Sequence, residues 1–246
     1  MRIAQLTSLI FITLMLSVFF ISQAVLAAPL LLKDNVPAWI HSKIYVSPTG
    51  NIYVIWPVAG GVNFARSIDG GATFDNRTIL RGIGNKDEDK ISLEMGVHQD
   101  GTIFIFCTLR KNKSSALNLF MATSSDEGET FQTRIILNEE NDIIDKSHHY
   151  KSYLSTNDLK IIDDAIYFTI HWDESMVLAR SLDGGINFEF FTVARNDENL
   201  RHSGISDHSI GVDSKGNVYV VYLLEYHLEG DDFPIFDLYF TRLKSD

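Results

Sequence analysis

The chain has 246 residues, a formal charge of −11, and a composition of 45% apolar and 22% charged residues, which excludes an intrinsically disordered protein. The acidic balance and the lack of a basic stripe exclude a nucleic-acid binder, while cationic ligands and metal ions stay electrostatically permitted. The single cysteine, Cys107, excludes an intramolecular disulfide and a thiolate metal cluster, so the fold must depend on a large apolar core.

At the N-terminus, Arg2 is the only charged residue before Lys33, and Leu9 to Ile21 is dense in Leu, Ile and Phe. Ala24-Val25-Leu26-Ala27-Ala28 follows. A basic start, a short apolar core and small residues before a cut are the layout of a secretory signal peptide, with cleavage expected after Ala27. Residues 28–246 are then one domain outside the cytoplasm, secreted, periplasmic or on the cell surface. The run is also long enough to span a bilayer, so the alternative is an uncleaved anchor, the only route by which a membrane enters.

Beyond it, short strand signals recur. Ile44-Tyr45-Val46 is followed by a turn residue and Gly50-Asn51-Ile52-Tyr53-Val54-Ile55-Trp56. The latter matches Gly101 to Cys107, Asp164 to Ile170, and Gly216 to Tyr222. These are β-branched and aromatic runs opened by a turn residue. Further strands are expected at Arg77 to Leu80, Arg134 to Leu137 and Phe191 to Ala194, and Ile210-Gly211-Val212 repeats the first strand. Cys107 lies within an apolar run and is read as a small buried hydrophobe.

One segment repeats in step with these strands. Ser67-Ile68-Asp69-Gly70-Gly71-Ala72-Thr73-Phe74 returns as Ser124-Ser125-Asp126-Glu127-Gly128-Glu129-Thr130-Phe131 and as Ser181-Leu182-Asp183-Gly184-Gly185-Ile186-Asn187-Phe188, the serines 57 residues apart both times. Four short strands per unit at this period predict an all-β fold, a β-propeller of four blades with four antiparallel strands each. The last unit ends after Leu238 to Arg242, which aligns with Val62 to Arg66, and so lacks an outer strand. Leu30-Leu31-Leu32-Lys33-Asp34 is expected to supply it and close the ring, removing a free sheet edge. An open arc that pairs with a second chain is the alternative.

The repeated segment resembles the Asp box, or BNR repeat, of the sialidase superfamily. The resemblance covers essentially all of the chain after the leader, and places each box at a hairpin far from the propeller axis. Its residues are Ser67, Asp69, Gly71 and Phe74, then Ser124, Asp126, Gly128 and Phe131, then Ser181, Asp183, Gly185 and Phe188. Their chemistry is structural: Ser and Asp oxygens accept backbone N–H bonds in a tight turn, Gly supplies a positive φ, and the aromatic pins the hairpin. The family's catalytic pattern is absent. No Arg-Ile-Pro occurs, and Arg66, Arg180 and Arg242 recur at a third-strand position, so no arginine clamp for a carboxylate assembles.

Histidine placement is the remaining functional signal. His41, His98, His148, His149, His202 and His208 fall in or just before the innermost strands, with Asp89, Glu94, Tyr150 and Asp207 nearby. Inner strands line a propeller channel, so a rim site is expected from His41, Glu94, His148, His149, His202, Asp207 and His208. No cofactor is expected; imidazole with carboxylate would suit a divalent Zn, Ni or Cu ion. Asn85 to Asp89 alternates carboxylates but lacks the glycine and distal glutamate of a calcium loop. Glu225 to Asp237, with Tyr226, Phe233 and Phe236, reads as an aromatic loop inserted in the last blade. The expectation is a non-catalytic module that binds a glycan, protein or ion at its rim, or scaffolds an assembly; the alternative is a divergent sialidase-like glycoside hydrolase.

Overall fold

The computed structural model describes residues 29–32, 42–58, 61–81, 92–110, 117–138, 156–172, 175–196, 201–228 and 233–244. It separates into one unit of residues 1–35 and another of residues 36–246. The leader expected over residues 1–27 lies outside the described residues.

The second unit is all-β. Sheet 1 holds β1 (Lys43–Val46), β2 (Ile52–Val58), β3 (Gly61–Ser67) and β4 (Asp75–Arg81) in that spatial order. Sheet 2 holds β5 (Ser92–Val97), β6 (Ile103–Arg110), β7 (Leu117–Ser124) and β8 (Gln132–Asn138). Sheet 3 holds β9 (Thr156–Ile162), β10 (Ala165–Trp172), β11 (Ser175–Ser181) and β12 (Glu189–Arg195). Sheet 4 holds β13 (Arg201–Val212), β14 (Val218–His227) and β15 (Ile235–Leu243). Every neighbouring pair is antiparallel.

The apolar runs reflect burial on both faces of the middle strands. One core joins Ile55, Val62 and Phe64 of sheet 1 to Leu93, Ile103 and Ile105 of sheet 2. A second joins Phe106, Leu119 and Met121 of sheet 2 to Ile166, Phe168 and Ile170 of sheet 3. A third joins Tyr167, Met176 and Leu178 of sheet 3 to Ile210, Val218 and Val220 of sheet 4. The sheets therefore stack face to face in chain order, each side chain of this size contributing about 1.5–3 kcal/mol on burial. Cys107 sits fully buried in the first core, where desolvation drives its thiol pKa upward and keeps it inert. At Gly96 a Cβ would stand 2.7 Å from Ile161 and 2.8 Å from Leu159, so the missing side chain sets how closely sheet 3 approaches sheet 2.

The repeated segments form the third hairpin turn of sheets 1–3 with one bonding scheme. Ser124 Oγ accepts the Gly128 N–H at 2.8 Å and donates to Asp126 Oδ1 at 2.7 Å. Asp126 accepts the Thr130 N–H at 2.9 Å and its hydroxyl at 2.6 Å. Ser67–Asp69–Thr73 and Ser181–Asp183–Asn187 repeat this, Asn187 replacing the hydroxyl with its amide. These bonds hold the exposed carboxylates of Asp69 and Asp126 at a pKa of about 2 and also lower that of Asp183. The turns then clamp the preceding sheet. Arg66 donates to the Glu127 carbonyl at 3.0 Å and pairs with Glu129, and Arg77 bonds the Glu129 carbonyl. Arg134 reaches the carbonyls of Gly185 and Ile186 in the same way. Phe131 meets Phe64 edge-on at 4.9 Å, and Phe188 meets Phe106 at 6.0 Å. Phe74 is half-buried at the turn of sheet 1.

Two expectations need correction. Residues 29–32 carry no strand, Leu30 and Leu31 are exposed, and sheet 4 has three strands among the described residues. Three consecutive leucines lack the alternation that lets a strand bury one face; Lys33 and Asp34 lie outside the described residues. The aromatic insertion is mostly not a loop either. Glu225 pairs with Phe236 and Tyr226 with Ile235, so the segment lengthens the β14–β15 hairpin.

Candidate functional site

Antiparallel pairing puts the repeated hairpins and the turns after β1, β5, β9 and β13 at one end of each sheet. The first strands of successive sheets lie against one another, β1 with β5, β5 with β9, and β9 with β13. The register identifies equivalent positions: Val46, Val97, Ile161 and Val212 pair with Ile52, Ile103, Ile166 and Val218. Three residues before each stand Lys43, Glu94, Asp158 and Ser209. Lys43, Glu94 and Ser209 oppose Ile55, Phe106 and Val221, whereas the register places Asn157 opposite Thr169, so Asp158 lies one residue out of that row and joins this polar belt through an irregularity in β9.

The belt is bonded. Lys43 Nζ donates to Glu94 Oε1 at 2.6 Å across sheets 1 and 2. Ser209 Oγ donates to Asp158 Oδ2 at 2.6 Å across sheets 3 and 4, joined by the Ile210 N–H on the same oxygen. Lys160 Nζ holds the other oxygen of Asp158 at 2.6 Å. Asp158 is aimed by its backbone: Lys160 pairs with Tyr167 and Asn157 with Thr169, so Asp158 and Leu159 together oppose Phe168 in a β-bulge. Asp158 has φ of 58°, a left-handed conformation that Asp adopts more readily than most residues, at a cost of about 1–3 kcal/mol. Bulges of this kind re-aim side chains beside functional sites.

The two carboxylates are driven apart in acidity. Burial raises the pKa of Glu94 and outweighs the hydrogen bond and charge of Lys43, with the Asp158 charge adding to the rise. Asp158 also loses solvation, but the bonds from Lys160, Ser209 and Ile210 together bring its pKa below the ordinary value. A carboxyl shifted towards its protonated form near one shifted towards its ionised form is the pattern that separates acid from base roles.

A histidine pair flanks Asp158. His171 Nε2 lies 3.1 Å from His208 Nδ1 with the rings stacked at 4.8 Å, and His208 Nε2 meets Thr169 Oγ1 at 2.6 Å. Burial, with the neighbouring His208, lowers the His171 pKa to about 4. Burial also lowers that of His208, opposed by Asp158 and Asp207. Both imidazoles are neutral at pH 7.

Of the expected rim residues, Glu94 and His208 therefore join this region, and Asp207 follows as a charge felt by His208. His41, His148 and His149 lie outside the described residues, as do Asn85 to Asp89 and Tyr150, and only the backbone of His202 is described, in β13. His98 does not belong to the rim. It sits in the β5–β6 turn, just past the C-terminal end of β5, bonded to Asp100 at 2.8 Å. It lines a separate hollow of roughly 140 Å³ with Asp100, Asp163, Asp164 and Gly184, too small for a disaccharide. Sequence reasoning missed Asp158, Lys160, Thr169 and His171. Among the described residues no three His, Cys, Asp or Glu side chains gather as a metal site. The arginines Arg66, Arg77 and Arg134 are engaged at the repeated hairpins, and Arg180 pairs with Glu189.

No protein-family model matches the sequence, nor does any curated protein. Solved structures do resemble the fold. An α-L-arabinanase of Penicillium chrysogenum complexed with arabinobiose aligns at a TM-score of 0.55 and 16% identity, over 83% of this chain and 62% of its own. An α-L-arabinofuranosidase of Fusarium graminearum in complex with an iminosugar inhibitor aligns at 0.54 and 12%, over 84% and 62%. A leech intramolecular trans-sialidase aligns at 0.48 and 10%. These neighbours are β-propeller glycosidases, and this chain spans less than two thirds of the length of the first two.

Proposed function

We propose that this chain is a glycan-directed β-propeller of glycoside-hydrolase type, acting outside the cytoplasm, with its four sheets as blades. Glu94 serves as proton donor to the leaving glycosidic oxygen. Asp158 serves as the ionised partner that activates water or steadies positive charge on the sugar ring. The observation that carries this reading is the opposite displacement in acidity of two carboxylates on the adjacent strands β5 and β9, Asp158 being brought in by the β9 bulge. The glycosidase neighbours, one complexed with arabinobiose, support it and favour it over the non-catalytic module expected from sequence. Arabino-oligosaccharides rank ahead of sialosides, because Arg66, Arg77, Arg134 and Arg180 are committed to other partners and no arginine clamp for a carboxylate sugar gathers among the described residues.

A second reading, recognition of a glycan without turnover, is favoured by one specific feature: each carboxylate is held by a lysine, Glu94 by Lys43 and Asp158 by Lys160. The two separate experimentally. Calorimetry and product analysis on arabino-oligosaccharides and sialosides should show binding with cleavage by the wild type, and binding without cleavage by Asp158→Asn. Wild-type binding without products supports the second reading, and no binding by any glycan overturns both.

A further inference from the structure

We propose that sheet 4 receives sheet 1 of a second copy of this chain, in a head-to-tail contact that repeats the chain's own inter-sheet interface. Each of sheets 1–3 buries one face under the sheet that follows it. The register pairs Ile55 with Phe64, Phe106 with Met121, Thr169 with Leu178, and Val221 with Phe240, so these are equivalent pairs. The first three pairs are all buried to within 4%, whereas Val221 is 39% and Phe240 66% exposed. One step along, Val62, Leu119 and Met176 are fully buried and their counterpart Leu238 is 72% exposed. Phe236 continues this exposed row.

The opposite face shows the complementary surplus. Met95 and Val97 pack on the core shared with sheet 1, Leu159 and Ile161 on the core shared with sheet 2, and Ile210 and Val212 on the core shared with sheet 3. Their equivalents in β1, Ile44 and Val46, are 68% and 57% exposed. The same interface is thus made three times inside the chain, and its two unmade halves stand at opposite ends of the stack. Both being exposed, neither covers the other within one chain. The first repeated hairpin lies on the β1 end: Gly128 and Gly185 are buried against the preceding sheet, whereas the only contact a Cβ at Gly71 would meet is Ile52 of its own sheet. Arg242, equivalent to Arg66, stacks on Tyr219 at 5.4 Å, placed to reach that hairpin in the partner as Arg66 reaches the next hairpin in the chain.

A contact between two different patches is heterologous, so it joins copies in a directed series. Sedimentation of the full chain should show concentration-dependent association. Ile44→Asp spoils one half of the contact and Leu238→Asp the other, so each variant alone should be monomeric. Their equimolar mixture retains one intact contact per pair and should stop at the heterodimer. Circular dichroism confirms that both variants fold, as expected for exposed positions. A wild type that stays monomeric at every concentration overturns the proposal, as does a mixture that fails to pair. An Ile44→Cys/Leu238→Cys variant that oxidises within one chain, not between chains, overturns it in favour of self-closure.

Discussion

Lys43 and Glu94 occupy the same repeat position on adjacent sheets and meet at 2.6 Å, the lysine partly in solvent and the carboxylate buried. Glu94 has a pKa raised above its unfolded value of 4.5. The folded state then holds more protons than the unfolded one in the window above 4.5, and stability falls as pH rises through it. Lys43 limits that loss. Lys43→Met should cost about 1–3 kcal/mol at pH 7, below the range for fully buried pairs because the lysine is 39% exposed. The cost should vanish near pH 4, where Glu94 is neutral in both states. Urea unfolding at the two pH values measures this.

The His171–His208 pair sets an acid limit on stability of the opposite sign. Both folded pKa values lie below the unfolded 6.5, His171 at about 4. Between these limits the unfolded chain binds more protons, so stability is full above pH 6.5 and is lost as pH falls towards 4. His171→Gln should flatten this part of the melting temperature against pH profile, and leave the slope above pH 7 unchanged.

The repeated hairpins should rank by what lies behind them. Ser124→Ala leaves the Gly128 N–H without its acceptor in a buried turn and should cost about 1–3 kcal/mol. Gly128 has φ of 87°, and a Cβ there would stand 2.5 Å from the Phe64 ring. Gly70 has φ of 69° and open space around it. Gly70→Ala should therefore cost about 1–2 kcal/mol from backbone strain alone, and Gly128→Ala clearly more. Denaturant titration of the three variants tests the order.

Much of the fold was legible because the repeat imposes it. Constant serine spacing located the hairpins, and the strands downstream of them appear at Asp75–Arg81, Gln132–Asn138 and Glu189–Arg195, close to expectation. The expected outer strand is absent from Leu30 to Leu32, where apolarity comes without alternation. The site was less legible for a physical reason. Glu94 and His208 stood out as polar residues near inner strands, but Asp158 depends on a bulge, and a one-residue irregularity leaves no mark in spacing. His171 was hidden in the apolar run of β10, and only contact with β13 of the next sheet shows its role.

Turnover under matched conditions is the most direct test of the central assignment. Wild type and Glu94→Gln are to be compared on arabino-oligosaccharides, with released sugar quantified and folding confirmed by melting. The Glu94 proton-donor role predicts cleavage by the wild type and a loss on the order of 10²–10⁴-fold in kcat for the variant, with binding kept. Equal rates for the two proteins, or a folded wild type that binds these sugars and releases nothing, would contradict it.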